Sequence, residues 1–153
     1  MIDRFERFSL SVFNIARYWN KIAAEEMKRY GLKGPYAMYL VCLLSSSVAP
    51  TATELAEMCA KDKADVSRAI SDMVSKGLVL RQGVNPYRAG IYLTEKGVLA
   101  AKDISYKASL ATSLAGSEIS DEKREIFYEV LSSISSKLKN LSQEGLIKKE
   151  VNI

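Results

Sequence analysis

Between residues 61 and 88, cations and hydrogen-bonding groups recur at spacings suited to gripping a polyanion. Lys61, Lys63 and Arg68 stand with Ala64, Ser67 and Ser71 in the stretch KDKADVSRAIS, and Arg81, Tyr87 and Arg88 follow. The chemistry open to such a set is non-covalent. Ammonium and guanidinium groups neutralise phosphate, and an arginine fork matches the paired acceptors of a guanine edge. Small neighbours such as Ala64, Ser67 and Ser71 let a backbone come close to that edge.

Bond-making chemistry has little to work with. The chain has no histidine, which removes the commonest general base and every Ser-His or Cys-His nucleophile. No Gly-rich phosphate loop is present. Cys42 and Cys59 are too few soft ligands for a four-coordinate zinc site. No catalytic residue, metal ligand or cofactor is therefore expected, and the chain does not read as an enzyme. Both cysteines fall on apolar stripes and read as buried small hydrophobes rather than redox sensors.

The charge supports the polyanion reading. The formal net charge is +4, and it is unevenly placed. Residues 61–96 carry Lys or Arg at 61, 63, 68, 76, 81, 88 and 96 against acids at 62, 65, 72 and 95, a local balance of +3. That local excess is what phosphate binding needs. Asp65 and Asp72 weigh against it, because acids beside phosphate cost affinity. An ordinary solvated helix, for its part, would show more Glu/Lys pairs four residues apart.

The elements that must carry these groups follow from periodicity. Residues 62–76 read as an amphipathic helix with Asp62 at its N-cap, Asp65 in its first turn and Gly77 closing it. Val66, Ala69, Ile70 and Met73 form its buried stripe, while Ala64, Arg68, Ser71 and Ser75 point away. A shorter helix precedes it. Thr51 and Glu54 make a capping box, and Ala52, Leu55, Ala56 and Cys59 line one side. Two short helices across a tight turn are a helix-turn-helix. After Gly77, LVLRQ and IYLT read as two strands joined by GVNPYRAG, a spacer too long for a two-residue turn. Helix, turn, helix and hairpin together make a winged helix, with Arg88 at or near the wing tip. A wing arginine could enter a narrow minor groove, or one of these arginines could pair with a carboxylate and position the wing.

The flanking segments read as helical arms. Residues 2–30 carry Phe5, Phe8, Val12, Ile15, Trp19 and Ile22 at alternating steps of three and four, the seam of a coiled coil. Gly31 ends that helix, and Pro35 stands at the first position of the next, whose residues Tyr36 to Leu44 are apolar almost all round and so buried. Thr94 caps a helix over 95–115. A last helix over 120–143 carries Phe127, Leu131, Ile134, Leu138 and Leu141 at the same heptad steps. Stripes at both ends that a winged helix does not need imply a second copy of the chain.

With 153 residues, 48% of them apolar and 26% charged, the chain suits one domain, or one domain plus an appended interaction arm, and has an ordinary globular composition. Its longest apolar run, nine residues at 36–44, falls short of the ~20 a membrane span needs. The start MIDRFERFSL has acids where a signal peptide would be basic, so a cytoplasmic protein with no membrane partner is expected.

From Thr51 to Gly97 the sequence resembles the MarR family of bacterial transcriptional regulators. The matching pieces are TATELAEMCAKDKADVSRAISDMVSKGLVLR and IYLTEKG. They contain the family's Leu-Ala pair, its Lys-x-x-Val-[Ser/Thr]-Arg core, Gly-Leu-Val and Leu-Thr-x-x-Gly; the length and helical arms extend the likeness more loosely over the whole chain. The resemblance implies a mainly α fold with a small β-hairpin, a winged helix-turn-helix flanked by N- and C-terminal dimerisation helices. Residues 35–94 would be the DNA-binding lobe, and 1–34 with 95–153 the dimerisation helices. It further implies a homodimer on double-stranded DNA, bound to a pseudo-palindromic operator where it represses, or sometimes activates, nearby genes, often in response to a small aromatic or phenolic ligand. Lys63, Ser67 and Arg68 match the family's recognition-helix positions, and Arg88 falls near its wing arginine. Trp19, Tyr36 and Tyr39 lie nearest the family's ligand pocket, although aromatics at helical spacing are more often core. Two departures stand out. The wing lacks the acid of the family's Asp-x-Arg element, and the cysteines do not match the N-terminal cysteine of its peroxide-sensing branch. The competing expectation is a winged-helix protein-interaction module, which calls for an exposed apolar patch on 62–76 that the sequence does not offer.

Overall fold

Gly31 adopts φ +63°, a left-handed conformation that glycine reaches at least cost, and there the first helical run stops. The computed structural model describes residues 3–146. Helix α1 spans Arg4–Met27, a 3-10 turn carries Lys28–Tyr30, and α2 spans Tyr36–Ser45. The helix expected over 2–30 therefore tightens in its last turn, and residue 2 lies outside the described residues. Pro35 stands one place earlier than expected, at the N-cap of α2. Helices α3 (Ala52–Met58) and α4 (Lys63–Ser75), strands β1 (Val79–Gln82) and β2 (Gly90–Leu93), and helices α5 (Glu95–Ala115) and α6 (Asp121–Glu144) complete the order. The fold is mainly helical with one small hairpin, as the sequence pattern requires.

The caps explain the helix-turn-helix. The Thr51 hydroxyl accepts the Glu54 N–H at 3.3 Å, while the Glu54 carboxylate accepts the Thr51 N–H at 2.7 Å, so two orphan donors of α3 are satisfied reciprocally. The Thr51 N–H and, at 3.0 Å, the Thr51 hydroxyl both donate to the Glu54 carboxylate and hold it below its usual range. At the other end, Ala60 N–H bonds to Glu57 O at 3.2 Å and Lys61 N–H to Ala56 O at 3.0 Å, a Schellman closure. Its left-handed residue is Ala60, with φ +51°, where glycine is usual. The Cβ clash there costs roughly 1 kcal/mol. Asp62 does occupy the N-cap of α4, but its carboxylate makes no capping hydrogen bond, so only the position of that expected cap holds.

The hairpin is antiparallel, with Val79 opposite Leu93 and Arg81 opposite Ile91. It is tied to α5 by Thr94. The Thr94 N–H bonds to the Leu78 carbonyl at 3.0 Å, the hydroxyl donates to the Gly77 carbonyl at 2.7 Å, and the same hydroxyl accepts the Gly97 N–H at 3.0 Å. A Cβ on residue 97 would run into the Leu78 carbonyl oxygen, so only glycine fits. The Leu-Thr-x-x-Gly spacing thus has a steric cause.

One core joins these elements. Tyr36, Tyr39, Leu40 and Leu43 of α2 pack with Leu55 and Ala56 of α3, with Val66, Ala69, Ile70 and Met73 of α4, and with Val79 and Ile91 of the hairpin. Ala100, Ala101 and Ile104 of α5 close it. Burying a side chain the size of Ile70 contributes about 1.5–3 kcal/mol. From the 3-10 turn the Tyr30 hydroxyl donates to Asp103 of α5 at 2.7 Å, and Lys107 bridges Asp103 at 3.2 Å and Glu26 of α1 at 2.6 Å. Packing divides the chain into two compact units, one up to Ala108 and one from Ser109 on. In the second unit, α6 has no buried residue. Its start is fixed by Ser120, which accepts the Lys123 N–H, and by Arg124, which donates to the Gly116 and Ile119 carbonyls at 3.1 and 3.0 Å.

Candidate nucleic-acid interface

Helix α4 turns its apolar side inward completely: Val66, Ala69, Ile70 and Met73 have no exposed surface. That orientation forces Ala64, Arg68, Ser71 and Ser75 outward, where all four are exposed, with Ser67 half-buried at the edge. The hydroxyl of Ser71 donates to the Ser67 carbonyl at 3.0 Å and that of Ser75 to the Asp72 carbonyl at 2.7 Å. Their donors are therefore turned onto the helix, and their oxygens remain as acceptors on a low, smooth surface.

The two acids on α4 are both engaged. Arg68 pairs with Asp65, three residues earlier on the same exposed face. Exposed pairs of this kind contribute less than about 1 kcal/mol, so a phosphate or base edge competes readily for the guanidinium. Asp72 instead accepts from the Tyr36 hydroxyl at 2.8 Å. Burial, then the bond to Asp72, pushes the Tyr36 phenol up to about 12, so it stays a donor throughout the neutral range. That bond ties α4 to α2 across 36 residues of sequence, a link no local pattern signals.

The wing tip is built by Asn85. Its backbone carbonyl accepts the Arg88 N–H at 3.0 Å and its side-chain oxygen accepts the Tyr87 N–H at 2.9 Å. Asparagine first and proline second are the favoured residues of such a four-residue turn. The Asn-Pro pair in GVNPYRAG was the signal for it. The turn presents Tyr87 and Arg88 outward, both exposed. The Lys63 ammonium sits 6.0 Å from the Tyr87 ring centroid, which brings the start of α4 and the wing tip together. Lys61 and Arg81 are exposed as well, and Lys61, Lys63, Arg81 and Arg88 make no ion pair among the described residues. All nine residues named from sequence lie in the chain's first unit, and among them the contact between Lys63 and Tyr87 joins α4 to the wing.

The other expectations land differently. Tyr36 and Tyr39 lie in the core, their rings 5.9 Å apart, while Trp19 stands on the exposed side of α1. An open groove of about 340 Å³ is lined instead by Ser46, Val48, Ala49, Pro50, Glu54, Glu57 and Met58. Cys42 and Cys59 are half-buried rather than buried, and the Cys59 thiol contacts the Cys42 sulfur at 3.3 Å. Reading them as separate core residues missed that contact, because it depends on how α2 crosses α3. The heptad stripes are open to solvent: Phe5 is 71% exposed, Ile15 63%, Phe127 51% and Leu138 50%. Phe8, Val12 and Leu131 are exposed too, with Ile134 and Leu141 half-buried. Among the described residues there is no cluster of three or more metal-ligating side chains, and no helix is long and apolar enough to cross a membrane.

No protein-family model and no curated protein matches the sequence. Solved structures do match its fold. A MarR transcriptional regulator from Methanosarcina mazei Go1 is 24% identical, with a TM-score of 0.77 over 91% of this chain and 94% of its own. A putative MarR family regulator from Listeria monocytogenes complexed with 26mer DNA is 19% identical, with a TM-score of 0.79 over 99% of this chain and 100% of its own. The Staphylococcus aureus MepR–DNA complex is 18% identical, with a TM-score of 0.78 over 86% and 97% respectively. The chain therefore has the winged-helix fold found in MarR regulators.

Proposed function

We propose that this chain is a MarR-family transcriptional regulator, a homodimer that binds double-stranded DNA through α4 and the wing. The observation that carries the reading is the outer face of α4: small and hydroxyl side chains around Arg68, opposite a fully buried stripe, with Lys61 and Lys63 at its start. A helix entering the major groove needs such a face, and its N-terminal cations meet phosphate. Arg68 leaves Asp65 to contact a base or phosphate. Ser67, Ser71 and Ala64 lie against the base edges. The wing carries Arg88 and Tyr87 toward the flanking minor groove, and Arg81 contacts the backbone. Two neighbours with this fold were solved with DNA, which supports the same partner here.

Residues 35–94 act as the DNA-binding lobe, and residues 1–34 and 95–153 supply the dimerisation helices; residues 1–2 and 147–153 of those arms lie outside the described residues. The exposed stripes Phe5, Phe8, Val12 and Ile15, and Phe127, Leu131, Ile134, Leu138 and Leu141, are each covered by the second copy. Two-fold symmetry then implies a pseudo-palindromic operator, at which the dimer represses transcription until a small aromatic ligand releases it. Selection of bound sequences from a random duplex library tests the reading. Recovery of one inverted repeat is expected, whereas recovery of no sequence above background, with the dimer intact, leaves the winged helix as a protein-interaction module.

A further inference from the structure

Cys42 and Cys59 come from different helices and meet with their sulfurs 3.3 Å apart, the Cys59 thiol donating to Cys42. Both are half-buried free thiols, so a small reagent can reach them. Closing a disulfide requires a sulfur separation of about 2.05 Å, a further approach of about 1.2 Å. From this geometry we infer that Cys42 and Cys59 form a reversible oxidation site, which a hydroperoxide converts to an intrachain disulfide that pins the α3–α4 turn to α2.

The order of events follows from the contact. Burial, then the neighbouring Cys42, push the Cys59 thiol up to about 12, so Cys59 keeps its proton and directs it at Cys42. Cys42, whose sulfur accepts that bond, is the attacking group. The Cys42 sulfur attacks one peroxide oxygen, the O–O bond breaks, and hydroxide leaves and takes up the Cys42 proton as water. The product is a sulfenic acid. The Cys59 sulfur then attacks the sulfenic sulfur, forming the S–S bond, and the expelled hydroxyl departs with the Cys59 proton as a second water. Two thiols lose two electrons and two protons, and one peroxide is reduced to two waters.

The site is placed to be felt by α4. Cys59 is the last capping residue of α3, and the left-handed Ala60 and Lys61 lead directly into α4. The far half of α4 is held by the Tyr36–Asp72 bond, so a pull at Cys59 acts on the near end. That end carries Lys61 and Lys63. A displacement there misaligns the groove contacts, and operator affinity should fall about tenfold, the equivalent of one good base contact. This second effect rests on the proposed function, while the oxidation itself does not.

Intact mass and thiol counting of the full-length protein, before and after titration with hydrogen peroxide, test the site. The expected product has lost the mass of two hydrogens and both thiols, migrates as a single chain under denaturing conditions, and reverts with dithiothreitol. Cys42→Ala and Cys59→Ala should each abolish it. Addition of two or three oxygens to one cysteine, or a disulfide between chains, overturns the assignment. Duplex titration of the same samples provides the second arm. A tenfold weakening on oxidation that Cys59→Ala removes supports the link to α4, and equal affinity of the two forms refutes it. If neither form binds any duplex, the DNA reading fails and the oxidation site is decided by mass alone.

Discussion

Helices α4 and α6 each carry an apolar stripe at helical period, yet their fates differ. In α4 the stripe Val66, Ala69, Ile70 and Met73 is wholly buried, whereas α6 has no buried residue and Leu138 is half exposed. The period of a stripe fixes which face is apolar but not what covers it. For α4 the cover is α2, α3 and the hairpin of the same chain. For α6, and for the stripe of α1, the proposed cover is a second copy, since so much apolar surface left in water is unusual for a monomer.

The comparison can be broken first at the outer stripes. Replacing both Ile15 and Leu138 with aspartate should abolish the dimer and yield aggregated or poorly folded chains, since obligate dimers often have no stable monomer. Light scattering measures this, and a well-folded monomeric wild type at micromolar concentration contradicts the assignment. Next in size is the inner stripe. Ile70→Ala should cost about 2–5 kcal/mol through the cavity it leaves. The loss should appear in denaturant melts at every protein concentration, unlike damage to a dimer interface, which shrinks as concentration rises. A difference between wild type and Ile70→Ala that shrinks as protein concentration rises would erase the distinction between the two stripes. The outer face of α4 comes third. Arg68→Ala should weaken specific duplex binding by about 1–3 kcal/mol if the side chain makes a paired base contact. A parallel fall in specific and non-specific binding assigns it to phosphate, and unchanged affinity removes it from the interface.

The smallest effect concerns the link between α1 and α5. The Tyr30 hydrogen bond first, then Lys107, hold the Asp103 carboxyl below its usual range, while burial and then the Asp103 bond push Tyr30 up to about 12. A depressed carboxyl contributes stability above its unfolded value, near 4, and loses it as pH falls further. A raised phenol contributes stability below its unfolded value, near 10, and loses it as pH climbs toward 12. The bond is thus worth most between about pH 4 and 10. Tyr30→Phe should lower the melting temperature in that window and flatten both limbs. Curves that stay parallel at all pH values rule out this pair as the source.

Much of the fold was legible because its determinants are local. Thr51 and Glu54 announce a capping box within four residues, Thr94 and Gly97 mark the start of α5, and the α4 stripe follows from helical period. The exposure of Ala64 and Arg68 was legible for the same reason, being whatever the stripe leaves outside. Contacts between elements were not. The Tyr36–Asp72 bond and the Cys42–Cys59 contact depend on how α2 crosses α3 and α4, which one-dimensional spacing does not encode. Tyr36 and Tyr39 stood nearest the family's pocket on the resemblance, while their helical spacing favoured the core, which is where packing puts them. Asn85 lies between these cases, since its turn chemistry is local but the Lys63–Tyr87 contact it sets up is not.

The central claim is that two copies present two α4 helices to one face of a duplex, and half-site spacing tests it most directly. Once a bound inverted repeat is in hand, its half-sites should lie about 10 base pairs apart, one helical turn. Inserting about five base pairs between them turns one half-site to the opposite face. The expected result, read by titration at fixed salt, is loss of most specific affinity, with partial return when a full turn is inserted. Undiminished binding to the half-turn insertion would contradict a dimer whose two recognition helices are held in fixed relation.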